Sequence, residues 1–191
     1  NEEANDRTNR PHDAARVLIF GGSQGAHAIN VAMVAAASRL ATTGLRLAIT
    51  HQTGERDMDL VQSAYSRAGL AARVEAFIFE IDREMKAADL VICRAGATTL
   101  AELTASGRPA ILVPLPTAID DHQSMNARWL ADAGAALAIA QGAFTPEWLA
   151  AQEELLALKG SAQPGAAGLV DAARVRLGLL GMPAAEIARV E

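Results

Sequence analysis

Short apolar runs alternate with helical segments along most of this chain, and that alternation restricts the fold more than any single residue does. The runs are "RVLIF" (16–20), "LRLAIT" (45–50), "ARVEAFI" (72–78), "DLVIC" (89–93), "AILVP" (110–114) and "AALAIA" (135–140). Between and after them, 26–43, 56–68, 82–87, 98–106, 121–133 and 145–158 read as helices. Gly44, Gly69 and Gly107 stand where the helices should stop, and Thr145-Pro146 opens the last one in the order a helix start favours. Strands alternating with helices of this length imply βαβ units and a parallel sheet. The strands are continuous apolar runs, as expected when helices cover both faces. The expected fold is α/β: a doubly wound, Rossmann-like parallel sheet of about six strands. Ligands bind such sheets beyond the carboxyl ends of the strands. That rule selects the loops near 21–25, 78–82, 94–98 and 115–123.

Composition sets outer bounds. Half of the 191 residues are apolar but only 4% are aromatic, so the core must be built mainly from Ala, Leu, Val and Ile. A formal net charge of −5 argues against a nucleic-acid partner, which needs a basic face. The single cysteine, Cys93, excludes an intramolecular disulfide and reads as a small buried residue. With no signal peptide and no run of ~20 apolar residues, the chain reads as soluble and cytoplasmic, compatible with peripheral membrane contact. Residues 1–15 are polar and aperiodic and read as a leader or linker; 16–191 read as the folded domain.

The first loop, "GGSQG" (21–25), joins a strand to a helix and points backbone N–H groups at an anion. It is not a dinucleotide fingerprint, because Phe20 occupies the place of the first glycine and His51-Gln52 the place of the ribose-reading acid. It is not a Walker loop either, because Ala26 follows Gly25 where Lys is required. What remains is a turn in which Ser23 and the backbone can hold a phosphate. After the fourth strand, "CRAGATTLAE" (93–102) allows close backbone approach at Gly96 and Ala97, a helix cap at Thr98, and a carboxylate at Glu102. Glu102 could accept from ribose hydroxyls or could serve only as an acid favoured by the helix dipole. After the fifth strand, "PLPTAIDDHQSMNA" (114–127) offers Asp120 or Asp121 as an N-cap, and His122, Gln123 and Asn126 for sugar hydroxyls. "DMD" (57–59) imitates a metal-holding D-x-D motif, but it falls in a helix's first turn, where acids are favoured anyway.

Five of these segments, "GGSQGAHAIN", "HQTG" (51–54), "AFI" (76–78), "CRAGATTLAE" and "DDHQSMNA", stand in an order and spacing that resemble the C-terminal half of the MurG family. These are UDP-N-acetylglucosamine transferases of glycosyltransferase family 28. The likeness runs from Arg16 to the chain end and is densest between 16 and 140. It implies a GT-B enzyme, inverting and metal-independent, with no cofactor, that converts lipid I to lipid II in peptidoglycan synthesis. This half would hold the donor, UDP-N-acetylglucosamine. An N-terminal half, absent from this chain, would hold the lipid I acceptor, the general base and the membrane-facing patch on the cytoplasmic side of the inner membrane. By motif, Ser23, with Gly22 and Gln24 beside it, would bind the diphosphate, and Ile78 would read the uracil edge through its backbone. Ala97, Thr98, Thr99 and Leu100 would wrap the phosphates and ribose, Glu102 would accept from the ribose, and Gln123 and His122 would contact the N-acetylglucosamine. Two other readings fit the residues: a natural single-domain subunit of a split glycosyltransferase, and a non-catalytic nucleotide-binding domain.

Overall fold

A computed structural model of the chain describes residues 14–43, 46–118 and 121–148. Six strands, β1 (Ala15–Phe20), β2 (Leu47–Gln52), β3 (Ala71–Glu75), β4 (Leu90–Cys93), β5 (Ala110–Leu112) and β6 (Ala136–Ala138), form one parallel sheet in the order β3-β2-β1-β4-β5-β6. Five helices connect them: α1 (Gly22–Thr42), α2 (Met58–Ala68), α3 (Ile81–Ala87), α4 (Ala97–Ser106) and α5 (His122–Asp132). A 3-10 turn, Glu55–Asp57, leads into α2. This is the doubly wound fold that the alternation predicts, with the strand order reversing between β1 and β4.

Successive β1 side chains serve opposite faces, because strand side chains alternate. Ile19 joins Ile29, Met33, Ile49, Val61 and Tyr65 under α1 and α2. Leu18 and Phe20 join Met85, Val91, Leu100, Leu103, Leu112 and Leu130 under α3, α4 and α5. Cys93 is fully buried in this second layer, as its apolar neighbours imply.

Several element bounds differ from the sequence reading. β2 runs on to Gln52, so His51 and Gln52 lie within the strand. β3 ends at Glu75, which puts Ile78 in the loop beyond it, and β5 ends at Leu112. α1 begins at Gly22 rather than Ala26; two glycines and a serine have low intrinsic helix propensity, and burial of the following face overrides it. The last helix begins as expected: the Thr145 hydroxyl accepts the Trp148 amide at 3.2 Å, although 149–158 lie outside the described residues. So do Gly44, most of the 1–15 leader, and the terminal segment 183–191.

A buried polar network ties α1, β2 and α2 together. Asn30 Nδ2 donates to the Thr53 carbonyl and to Asp57 Oδ2, each at 2.9 Å. Asn30 Oδ1 therefore accepts from His51 Nε2 at 3.0 Å, and His51 Nδ1 accepts from the Tyr65 hydroxyl at 2.8 Å. Burial pushes the His51 imidazole down to about 3, so the ring is neutral. At the outer end, His27 Nδ1 lies 2.8 Å from Asp57 Oδ2, and Arg56 bonds the His27 ring. Burial pushes the Asp57 carboxyl up, but hydrogen bonds from Asn30 and His27 and the nearby His27 and Arg56 charges outweigh it and leave the group below its usual value.

The sign of the pH dependence follows. The unfolded chain takes up a proton on His51 below about pH 6.5, and the folded chain refuses it until about pH 3. Stability then falls on acidification by about 1.4 kcal/mol per pH unit in that window. The contributions of Asp57 and Glu147, both held below their usual values, are lost only within and below the carboxylate range, so the slope from pH 6.0 to 5.0 belongs to His51. Urea titrations across that range should show this slope in the parent chain and its loss in His51→Gln.

Candidate functional site at the β1–β4 crevice

β1 and β4 are hydrogen-bonded neighbours, with Phe20 paired to Cys93, and their following helices leave the sheet on opposite sides. The helices α1 and α4 therefore start from adjacent strand ends. The N-cap of α1 is Gly21 and that of α4 is Gly96, and neither start has a side-chain cap. Gly22 has φ +69°, a left-handed conformation that a side chain would strain. Two helix N-termini with uncapped first-turn N–H groups, carrying the positive ends of their dipoles, suit an anion at the crevice. The backbone of Ser23 and Gln24 lies in the first turn of α1; their side chains lie outside the described residues.

Thr98 is not a cap: Gly96 holds that position and Thr98 sits within the first turn of α4, because the helix begins at Ala97. Ala97 and Thr98 are exposed, Thr99 is half-buried and Leu100 is buried in the core. The Leu100 amide bonds the Gly96 carbonyl, closing the first turn. Glu102 is half-buried, one turn in, and its charge reaches the strand end below it: burial pushes the Cys93 thiol up, and the Glu102 carboxylate pushes it further. Glu102 thus lies in the second turn of the helix that starts at the crevice.

Ile78 follows β3, two strands from β1, a lateral offset of roughly 10 Å. Its side chain is buried, and its amide donates to Gln52 Oε1 at 3.0 Å. A base entering this loop meets the Ile78 carbonyl, or must displace Gln52 to reach the N–H. Phe77 and Phe79 flank it, 58% and 90% exposed, in edge-to-face contact at 5.0 Å between ring centroids.

Three side chains brace the loops after β4 and β5. Gln123 Oε1 accepts the Leu115 amide at 3.0 Å. Asn126 Nδ2 donates to the Ala95 carbonyl at 3.0 Å, tying α5 to the loop after β4. Arg94 Nη1 donates to the carbonyls of Val113 and Pro114, and Nη2 donates to Gln141 Oε1 at 2.7 Å. Gln123 therefore supports the loop with its oxygen, whatever its amide nitrogen contacts. His122 opens α5 and is exposed. Asp121 occupies the N-cap position at φ 52° without a side-chain cap bond, and Asp120 lies outside the described residues.

Asp57 of "DMD" is buried and bonded within the polar network, so the motif is a structural joint in this fold. Among the described residues no group of three or more His, Cys, Asp or Glu is placed to hold a metal ion, and no helix is long and apolar enough to cross a membrane. Sequence reasoning missed Arg94, Gln52 and Asn30 as the braces of these loops. The only signals were a lone cation ending an apolar run and polar residues at core-facing positions.

Comparison with known proteins bears on the family and the fold. The UDP-N-acetylglucosamine--N-acetylmuramyl-(pentapeptide) pyrophosphoryl-undecaprenol N-acetylglucosamine transferase of Anaeromyxobacter sp. (strain Fw109-5) is 51% identical over 141 residues, 74% of this chain and 37% of that protein. The protein of the same name from Geobacter sulfurreducens is 49% identical over 141 residues, 74% of this chain and 39% of its own length. The chain thus spans less than two fifths of these relatives. The crystal structure of MurG from Acinetobacter baumannii superposes with a TM-score of 0.69 at 34% identity, covering 94% of this chain and 52% of that one. A UDP-glucose: anthocyanidin 3-O-glucosyltransferase solved with UDP shares the fold at a TM-score of 0.57 and 18% identity, covering 93% of this chain and 40% of that one. The family model of the glycosyltransferase family 28 C-terminal domain matches residues 16–169, and the chain belongs to that family.

Proposed function

We propose that residues 16–191 form the donor-binding domain of an inverting N-acetylglucosaminyltransferase that uses UDP-N-acetylglucosamine and converts lipid I to lipid II. The observation that carries this reading is the pair of uncapped helix starts, at Gly22 and Ala97, on the adjacent ends of β1 and β4, with Glu102 one turn into the second helix. The names of the relatives supply the sugar nucleotide and the acceptor. The diphosphate sits against the first turn of α1, at Gly22, Ser23 and Gln24, and against the amides of residues 97–99. Glu102 accepts from the ribose hydroxyls, Ile78 reads the uracil edge through its backbone, and Gln123 and His122 lie on the sugar side.

In such a site the helix N-termini stabilise the charge that grows on the leaving diphosphate as the anomeric carbon is attacked. The attacking hydroxyl needs a base within hydrogen-bond reach and an acceptor held in line. In this reading both come from an N-terminal acceptor domain outside this chain, which also carries peripheral contact with the cytoplasmic face of the membrane.

Removal of the ribose acceptor should be measurable directly. Glu102→Ala should weaken UDP binding by about 1.5–3 kcal/mol, the range for a hydrogen bond to a charged group, with the melting temperature preserved. Calorimetry giving unchanged affinity would take Glu102 out of the site.

Nucleotide choice provides a second test. The chain should prefer UDP to ADP, because adenine would leave the backbone groups that read uracil unpaired. Binding should persist in EDTA, since Asp57 is committed to the polar network. Equal affinities for the two nucleotides would defeat the uracil assignment, and a strict magnesium requirement would restore a metal-dependent reading.

Turnover separates donor binding from catalysis. In a radiolabelled assay with a short-chain lipid I analogue, the chain alone should bind donor without transferring it, and addition of the acceptor domain should restore transfer. Full turnover by the chain alone would refute the division of roles.

A further inference from the structure

Asn30 lies on α1 eight residues beyond Gly22, fully buried at a place where an apolar residue would be the ordinary choice. Its three side-chain bonds have one consistent direction. Nδ2 must donate to the Thr53 carbonyl and the Asp57 carboxylate, so Oδ1 must accept from His51, and His51 must accept from Tyr65. A chain of bonds with a fixed direction cannot be rebuilt with α1 slid or rotated by one residue. Two of the partners, Thr53 and Asp57, lie just past the carboxyl end of β2, on the same edge of the sheet as the crevice. Tyr65 lies on α2 and touches the network only through His51.

We propose that Asn30 is a positioning residue for the donor's diphosphate. Through it, the end of β2 and the turn Glu55–Asp57 hold α1 so that the first-turn amides stand where the phosphates bind. The inference rests on the reading of the α1 start as the diphosphate side. It assigns to Asn30 a role beyond core stability, because its bonds fix the helix along the axis on which those amides point.

The test compares UDP with uridine, which lacks the phosphates, by NMR shift titration of this chain. The parent should bind UDP more tightly than uridine. Asn30→Ala should lose about tenfold in UDP affinity, the scale of one charge-assisted hydrogen bond, while uridine affinity stays unchanged. Asp57→Asn keeps the shape, removes the charge that Asn30 bonds, and should shift UDP in the same direction without shifting uridine. Tyr65→Phe removes a bond deeper in the same network; it should lower the melting temperature and leave both affinities as they were. Equal losses for UDP and uridine in Asn30→Ala and Asp57→Asn, no loss for either, or a UDP-selective loss in Tyr65→Phe would overturn the proposal. A parent chain that binds UDP no more tightly than uridine would instead defeat the diphosphate reading beneath it.

Discussion

The pairing of β1 with β4 is the constraint on which the rest of this domain depends. It breaks the run of neighbouring strands, sends α1 and α2 to one face and α3, α4 and α5 to the other, and parts the loops after β1 and β4. A crevice at the carboxyl edge is then unavoidable. Glycine caps at Gly21 and Gly96 keep side chains out of both helix starts. Had either cap been Ser or Asp, its own oxygen would have occupied the amides that a phosphate would use.

Around that crevice the loops are held by polar side chains as well as by the burial of Ile78, Ala95 and Val113. Gln52 holds the Ile78 amide, Gln123 the Leu115 amide, Asn126 the Ala95 carbonyl, and Arg94 the carbonyls of Val113 and Pro114. Loops carry backbone groups without ladder partners, and those that are buried need partners of this kind. The braces bond across elements, so the loops after β3, β4 and β5 are each referred to a neighbour in the sheet or to α5.

The sheet was legible in the sequence because most strands are short, mainly apolar runs between helices, a property contained in a short window; β3, at the sheet edge, carries Arg73 and Glu75. The loops that carry the candidate site were legible for the same reason, since strand ends and sheet type define them. Three things were not. The start of α1 was hidden by Gly22, Ser23 and Gly25, whose low helix propensity masks a helix that burial enforces. Thr98 looked like a cap because its hydroxyl could serve, whereas the helix had already begun at Ala97. The bracing bonds were hidden by distance along the chain: Asn30 bonds Thr53, 23 residues away, and Gln52 bonds Ile78, 26 residues away. "DMD" was ambiguous for the complementary reason, since an acid in a helix's first turn looks the same whether it faces water or a buried asparagine.

Cys93 gives the molecule a chemical clock. It is the only thiol in the chain, it is fully buried at the end of β4, and both burial and the Glu102 carboxylate hold it in the unreactive protonated form. An alkylating reagent therefore meets a nucleophile only when the helices packed over β4 lift from the sheet. Its rate of modification reads the opening of the helix layer that α4 shares with one wall of the crevice, with no label introduced. A ligand that bridges the two helix starts would slow that rate by the factor with which it stabilises the closed form.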